Sequence, residues 1–261
     1  MDGTVSALHH YPIKGLSGQV LEHVALTAGQ GFPNDRVFAF ARSGTAFDEA
    51  APKALPKTAF HMLAKDASLA ALRTHYDATA QTLSIEGAGG RQTYAIDTPE
   101  GADAAAGAIA AALSLAKGDR PRLVRGAGHR FTDVSVVSPT FMNAVSLINL
   151  ATVQDLGGRV GTPLDPVRFR GNVLFDGWPA WQELALEGRH IALGTARLKV
   201  LLRTERCAAT TVNPATAKRD VFVPRLLRDF FGHADCGIYA EVVEDGIVRL
   251  GDPIRVLPQD A

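Results

Sequence analysis

One cysteine in the sequence lies beside two arginines and is a candidate nucleophile or metal ligand. Cys207 directly follows Arg206 and comes four residues after Arg203. Their positive field favours thiolate over thiol, and the thiolate is the form that attacks electrophiles and binds soft metals. An isolated cysteine is more often a small buried side chain, so the residue types alone leave a structural role open.

A second candidate group is the segment Arg168–Asn172. Arg168, Arg170 and Asn172 alternate along it, which predicts that all three lie on one face of a strand. Two guanidinium groups and an amide suit a phosphate or another oxyanion, because guanidinium binds such groups through two parallel hydrogen bonds. The alternatives are a solvated strand face, or arginines that pair with Asp165 and Asp176.

A third candidate is a lysine in a loop bounded by glycines, between Tyr11 and Gly18. Lys14 can offer an ammonium group, and the loop can offer backbone N–H groups, to an anion. The order and spacing of a nucleotide-binding P-loop are absent, and an ordinary strand and turn is the alternative. The neighbouring Asp35 and Arg36 are compatible with a surface ion pair.

Short, glycine-punctuated strands must position most of these residues. Strand-like segments are Val5–His9, Val20–Leu26, Arg36–Ala41, Arg122–Val124 and the stretch from Phe169 to Val200. The end of the chain predicts a hairpin formed by Ile238–Val243 and Ile247–Leu250. Many short strands with few helices indicate a β-barrel or a barrel-like α+β fold.

Three segments have helical character. The alanine-rich stretch from Glu100 to Lys117 predicts a helix that ends at Gly118. A shorter helix is predicted over Asn149–Leu156, with Asn149 as N-cap and the Gly157–Gly158 pair as its stop. The third is predicted over Asp220–Phe231, capped by Asp220 and ended by Gly232.

Composition limits the classes of partner and the compartment. The 261 residues include 27 basic and 27 acidic side chains, so no overall field attracts nucleic acid or an anionic membrane. No apolar run reaches the roughly 18 residues of a membrane-spanning helix, and the first residues do not resemble a signal peptide. The two cysteines fit a reducing compartment. We therefore expect a cytoplasmic protein with no nucleic-acid or membrane partner.

Taken in order, these segments resemble the MOSC family, whose name comes from the C-terminal part of molybdenum cofactor sulfurase. Two N-terminal segments resemble the barrel that precedes many MOSC domains, namely Tyr11–Gly15 and Gly31–Arg36. The segments that resemble MOSC itself are Arg168–Asn172, Arg206–Cys207, Asn213–Pro214, Gly237–Tyr239 and Gly251–Asp252. Within the family, the likeness is to the branch that contains the amidoxime reducing components and their bacterial relatives.

The resemblance implies a β-rich α+β fold, with a MOSC β-barrel preceded by a smaller barrel-like domain. On this basis we expect an N-terminal domain over residues 1–95, a linking helix over 96–120 and the MOSC domain over 121–261.

The resemblance also implies a molybdopterin cofactor whose molybdenum takes Cys207 as a ligand, which makes Cys207 the metal-binding and catalytic residue. Other positions fall on motifs that resemble those holding the pterin and its phosphate, and these are Lys14, Gly15, Arg36, Asn149, Thr152, Arg168, Arg170, Asn172, Arg206 and Tyr239. Two departures stand out. The family often has Ser where Gly15 stands, and Asp48–Pro52 replaces a segment that commonly carries Arg and Gln at the pocket mouth.

Three functions are compatible with these expectations. The first is a molybdenum-dependent oxidoreductase that reduces small N-hydroxylated or N-oxide substrates. No cysteine-rich iron–sulfur domain follows the MOSC-like part, so its electrons would come from a separate iron–sulfur, flavin or haem protein. The second is a sulfurtransferase that carries a persulfide on Cys207, and the third is a non-enzymatic carrier of the cofactor.

Overall fold

A closed barrel of seven strands lies at the centre of the computed structural model, which describes residues 1–258. The strands are β1 (Asp2–His10), β2 (Gln19–Leu21), β3 (His23–Leu26), β4 (Phe38–Ala41), β5 (Arg73–Asp77), β6 (Thr82–Gly87), β7 (Gly90–Ala95), β8 (Arg122–Arg125), β9 (Val145–Asn149), β10 (Val173–Asp176), β11 (His190–Leu193), β12 (Ala196–Glu205), β13 (Asp235–Glu244), β14 (Gly246–Arg249) and β15 (Pro253–Val256). The barrel order is β10-β9-β13-β12-β11-β15-β1, and β1 pairs with β10 to close it. The expected β-rich barrel fold is confirmed.

Alternating side chains fill the barrel. Along β12, Ala196, Leu198 and Val200 are buried while the residues between them are more exposed, which is the period-two pattern of a strand with one face in the core. Beyond Val200 the pairing of β12 with β13 shifts register twice, between Val200 and Leu202 and between Arg203 and Glu205. Such irregularities bend a strand and re-aim its side chains, and these lie just before Cys207.

A second hydrophobic core lies outside the barrel. It joins the β4–β8 pair and the three-stranded β5–β6–β7 sheet to helix α1, which runs from Pro99 to Ala112. Thr98 caps this helix by accepting a hydrogen bond from the N–H of Gly101. The helix ends earlier than the predicted Lys117, because the chain leaves the helical conformation at Ser114, whose φ is +52°.

The remaining helices are α2 (Pro139–Met142), α3 (Leu150–Val160) and α4 (Val223–Phe231). Asn149 caps α3 as predicted, but the helix continues past Gly157 and ends at Gly161, which has a φ of +77°. Gly157 is buried inside the helix, where an added Cβ would lie 3.1 Å from the carbonyl of Thr162. The predicted stop at Gly157–Gly158 is therefore wrong.

Helix α4 begins three residues later than predicted. Gly232 ends it as expected, but Phe222 occupies its N-cap position. Asp220 is not the cap, because its carboxylate pairs with Arg168 instead.

The predicted terminal hairpin is also wrong. β13 pairs with β12 and β9, whereas β14 pairs with β3. Pairing with β3 buries Val248 of β14 in the barrel core together with Val24 and Leu26.

The division of the chain into domains at residues 95 and 120 stays a prediction. The last three residues of the predicted MOSC domain, 259–261, lie outside the described part of the chain. Within residues 1–258, no helix has both the length and the apolar character that crossing a membrane requires.

Candidate cofactor site

A cavity of 780 Å³ opens beside Cys207 and collects side chains from distant parts of the chain. It lies against the loop after β1, the segment after β8, the turn before β10 and the end of β12. Of the residues expected at a cofactor site, those that line it are Lys14, Gly15, Arg36, Arg168, Arg170, Asn172, Arg206, Cys207 and Tyr239. Asn149 and Thr152 lie elsewhere.

Cys207 is half-buried at the point where β12 ends and a short 3₁₀ helix, Ala208–Thr211, begins. The hydroxyl of Thr210 donates to the carbonyl of Cys207 at 2.9 Å. Arg219 donates to the carbonyl of Ala208 at 3.0 Å and to that of Ala64, which also lines the cavity, at 2.8 Å. These hydrogen bonds fix the backbone that carries the sulfur.

The two arginines expected to activate Cys207 are directed at backbone carbonyls. Arg206 donates from Nε to the carbonyl of Cys236 at 2.6 Å and from Nη1 to that of Phe169 at 2.9 Å. Arg203 donates from Nε to the carbonyl of Leu184 at 2.8 Å. Both therefore hold the backbone around the cavity, and sequence reasoning assigned them to the sulfur instead.

Two further charged residues, Lys57 and Asp133, line the cavity with Cys207, and sequence reasoning missed both. Asp133 accepts from Lys14 at 2.6 Å through one oxygen and from Lys57 at 3.1 Å through the other, and this second oxygen lies 4.0 Å from the Cys207 sulfur. Lys57 pairs with this carboxylate and lines the same cavity as Cys207. No motif in the sequence marks either residue, because their proximity arises only from the fold.

The pKa shifts in this group follow from burial and pairing. Burial lowers the pKa of Lys14, and the Asp133 carboxylate opposes that effect. Burial alone would raise the pKa of Asp133, but the adjacent ammonium groups of Lys14 and Lys57 hold it below its ordinary range. Burial also opposes the charge on Lys57, yet Asp133 and Cys207 raise its pKa overall. Asp133 is therefore a fixed negative charge between two cations.

The Arg168–Asn172 segment is not a strand as predicted. Asp165 and Pro166 start a 3₁₀ helix that includes Arg168, and Arg170 then takes a left-handed conformation with φ +53°. The Asp165 carboxylate accepts from the N–H of Val167, so it caps this turn. The predicted single face is wrong as geometry, but both guanidinium groups still reach the same cavity.

Arg168 pairs with Asp220, and not with Asp165 or Asp176, the partners considered in the alternative interpretation. The two terminal nitrogens of Arg168 lie 2.8 Å from the two carboxylate oxygens, while its buried Nε has no hydrogen-bond partner. This pair joins the turn before β10 to the segment before α4.

Arg170 and Arg36 bring two further guanidinium groups to the cavity. Arg170 donates from Nη1 to the carbonyl of Leu16 at 2.7 Å, while its buried Nη2 has no partner. Arg36 donates to the carbonyl of Arg170 at 3.0 Å and pairs with Asp35. Burial, with repulsion from Arg36, lowers the pKa of Arg170 to about 10. Buried guanidinium nitrogens without partners suit an anion, which would supply the missing acceptors.

Asn172 and Tyr239 have different roles at the cavity wall. The Asn172 side chain accepts from the N–H of Ser146 at 3.1 Å and donates to the carbonyl of His9 at 3.2 Å, so it ties β9 to β1. Burial raises the pKa of the Tyr239 hydroxyl, although Arg206 and Arg36 oppose the shift. Tyr239 therefore stays a neutral hydroxyl at the cavity wall.

The structure explains the glycine that follows Lys14. Gly15 has a φ of +82°, and an added Cβ would lie 3.0 Å from the Cα of Met62 and 3.1 Å from the carbonyl of His61. A serine would be strained and crowded there, so the loss of this side-chain contact follows from how the 61–62 segment packs.

Asn149 and Thr152 belong to a separate buried cluster. Both donate to the Glu183 carboxylate, at 3.0 Å and 2.7 Å, and Thr152 also accepts from the N–H of Trp181 at 2.8 Å. Their hydrogen-bonding capacity is used inside the protein, and the structure does not bring them to the cavity.

A MOSC domain family model matches residues 57–255, and the chain belongs to the MOSC family. Among curated proteins, it is 28% identical over 147 residues to mitochondrial amidoxime-reducing component 1 of Xenopus laevis. That match covers 52% of this chain and 42% of the relative, so the chain spans less than half of the relative's length. The resemblance to the family that the motifs indicated is confirmed.

Among solved structures, the chain is similar to the YuaD protein of Bacillus subtilis, at 14% identity and a TM-score of 0.46 over 98% of this chain and 96% of that chain. YiiM from Geobacillus stearothermophilus is 17% identical with a TM-score of 0.36, over 44% of this chain and 54% of that chain.

Proposed function

We propose that this protein binds the molybdenum cofactor and uses it as an oxidoreductase that reduces small N-hydroxylated or N-oxide compounds. The observation that carries the proposal is the shared cavity, in which the Cys207 sulfur lies with the buried guanidinium groups of Arg168 and Arg170. A molybdopterin needs a soft ligand at its metal and cationic groups at its phosphate, and this cavity supplies both.

The donor set fits the cofactor. Arg170 Nη2 and Arg168 Nε are buried without partners, and a phosphate would supply acceptors for them. Lys14 and Arg36 add positive charge to the same cavity, while the half-buried Cys207 presents a soft sulfur to it. Arg206 and Asn172 contribute by holding backbone segments at the cavity in place. Gly15 contributes by adopting the left-handed backbone conformation that follows Lys14.

When bound, the cofactor supplies the two-electron redox chemistry, and the protein positions it and tunes its surroundings. Lys57 and Asp133 charge the cavity next to the metal ligand, and Tyr239 offers a neutral hydroxyl at its wall. The electrons would come from a separate iron–sulfur, flavin or haem protein. A cytoplasmic site of action also stays a prediction.

The decisive experiment is molybdenum and pterin analysis of protein purified from a host that makes the cofactor. Two results together would support the proposal. The protein should contain about one molybdenum and one pterin per chain, and it should reduce a hydroxamic acid when an artificial electron donor supplies the electrons. Cofactor without turnover would favour a carrier. Protein without molybdenum, but with a labile sulfur on Cys207, would favour sulfur transfer.

A further inference from the structure

The ammonium group of Lys57 stands at the open side of the cavity, next to the candidate metal ligand. Its side chain is 36% exposed, compared with 7% for Lys14, although both bind the same carboxylate. Lys14 is committed to Asp133 and to the carbonyl of Phe131, at 2.6 Å and 2.9 Å. Lys57 is therefore the member of this pair that a molecule entering the cavity can reach.

Counting donors shows that Lys57 has capacity for a ligand. A lysine ammonium group has three N–H donors. One points to Asp133 Oδ2 at 3.1 Å. The other two remain for acceptors in the cavity.

Asp133 fixes the position of this donor. A lysine side chain is long and flexible, so an isolated one would make a poorly aimed donor. Because Asp133 is itself held by the buried Lys14, the carboxylate forms a rigid anchor that keeps the Lys57 ammonium group beside the sulfur. The group is then preorganised to meet an oxygen close to the metal ligand.

We propose that Lys57 is a substrate-binding residue that donates a hydrogen bond to the nitrogen-bound oxygen of the substrate. This inference rests on the proposed function and deepens it, because it assigns the recognition of the N–O group to one side chain. The nitrogen-bound oxygen of an N-oxide or a hydroxamic acid can accept a hydrogen bond from an ammonium group, whereas the deoxygenated product lacks that oxygen. Lys57 would therefore favour the substrate over its product.

The test compares two compounds that differ by this oxygen. Isothermal titration of the cofactor-loaded protein with benzohydroxamic acid and with benzamide gives both dissociation constants. We expect Lys57→Met to weaken benzohydroxamic acid binding by about 10- to 100-fold, the usual effect of losing one charge-assisted hydrogen bond, and benzamide binding by less than about threefold. Lys57→Arg should keep most of the preference, and Lys65→Met, at an exposed lysine nearby, should change neither constant.

Asp133→Asn provides a second variant that keeps the size of the side chain. It removes the charge that anchors Lys57, so the preference for benzohydroxamic acid should fall to an intermediate value. Molybdenum and pterin are measured in every sample. Equal weakening of both compounds by Lys57→Met, or no weakening, would overturn the inference while leaving the proposed function intact.

Loss of the cofactor from Lys57→Met would also overturn it, because Lys57 would then hold the cofactor and not the substrate. Wild-type protein that takes up no molybdenum in a cofactor-producing host would instead reject the proposed function, and the inference with it.

Discussion

The guanidinium group of Arg170 lies over the ring of Tyr11, 4.2 Å from its centre, and one of its nitrogens has no hydrogen-bond partner. Tyr11 is buried, and burial raises the pKa of its hydroxyl to about 12, so the ring stays neutral. A neutral aromatic face supports a cation without cancelling its charge. Arg170 is thus held rigidly in place while keeping a donor for an anion.

Replacing Arg170 with Ala should therefore weaken cofactor binding. Loss of a charge-assisted contact to phosphate costs about 1.5–3 kcal/mol, which corresponds to roughly 10- to 100-fold in affinity. Molybdenum and pterin retained after gel filtration measure the effect. Arg120→Ala, at an exposed arginine paired with Asp103, is the matched control and should retain the wild-type content. Full retention by Arg170→Ala would argue against a phosphate at this position.

Arg206→Ala should lower the stability of the protein even when no cofactor is bound. The substitution removes the donor from the buried carbonyls of Cys236 and Phe169, and each one left unpaired costs about 1–3 kcal/mol. We expect the free energy of unfolding of the cofactor-free protein, measured in urea, to fall by about 2–4 kcal/mol. Arg225→Ala, at an arginine whose side chain is 82% exposed, should change it by less than about 1 kcal/mol. An Arg206→Ala variant as stable as wild type would contradict this structural role.

Local sequence signals predicted the elements better than the partners. Asn149 caps α3 and Gly232 ends α4, because both effects depend on a few neighbouring residues. The same Asn149 was also expected at the cofactor, yet its amide group binds Glu183, 34 residues away. Nothing in the sequence around Asn149 could reveal that partner.

The Arg168–Asn172 segment illustrates a signal that was present but not used. Asp165 followed by Pro166 is a common start of a helical turn, since the carboxylate caps the turn and proline suits its first position. The turn changes the direction of each side chain, so strict alternation fails. Arg168 and Arg170 still meet in the cavity because the left-handed residue at 170 redirects the chain.

Other parts of the site depend only on long-range packing. Asp133 joins Lys14 to Lys57 across 119 and 76 residues of sequence. The pairing of β14 with β3 likewise joins the two ends of the chain and replaces the expected hairpin. Most of the residues taken from family motifs line one cavity, but the partners of its charged groups could be assigned only once the fold was known.

Cys207→Ser directly tests the proposal that Cys207 is the metal ligand. Serine replaces a soft, polarizable donor with a hard hydroxyl, so the electronic spectrum of the loaded protein and its turnover should be lost. Most of the pterin should be retained, because the arginine and lysine contacts lie elsewhere in the cavity. An unchanged metal spectrum and activity would mean that Cys207 is not the ligand.

The matched control is the second cysteine. Cys236 is fully buried, and burial raises the pKa of its thiol to about 12, so it is neither accessible nor ionised at neutral pH. Cys236→Ala should leave the spectrum and turnover unchanged and cost only some packing stability. In the cofactor-free wild-type protein, iodoacetamide should modify Cys207 and leave Cys236 protected until the chain unfolds.

Glu183 should make stability depend on pH in the opposite direction from most carboxylates. Burial raises its pKa from the ordinary value of 4.5, although the hydrogen bonds from Asn149 and Thr152 oppose the shift. The folded protein therefore binds this proton more tightly than the unfolded chain does. The contribution of the Glu183 proton to the free energy of unfolding is complete below the pKa of this group in the unfolded chain. It is lost as the pH rises from there through the pKa in the folded protein.

Glu183→Gln has no such proton to lose, and it preserves the size of the side chain and part of its hydrogen bonding. Urea unfolding between pH 4 and pH 7 should give a difference in unfolding free energy, variant minus wild type, that rises with pH. Glu187→Gln, at a neighbouring exposed carboxylate, should instead give a nearly constant difference. A Glu183→Gln difference that is constant, or that falls as the pH rises, would contradict this prediction. It would mean that the folded protein does not bind the Glu183 proton more tightly than the unfolded chain does. The buried cluster around Asn149 and Thr152 would then have to be stable with a fully charged glutamate.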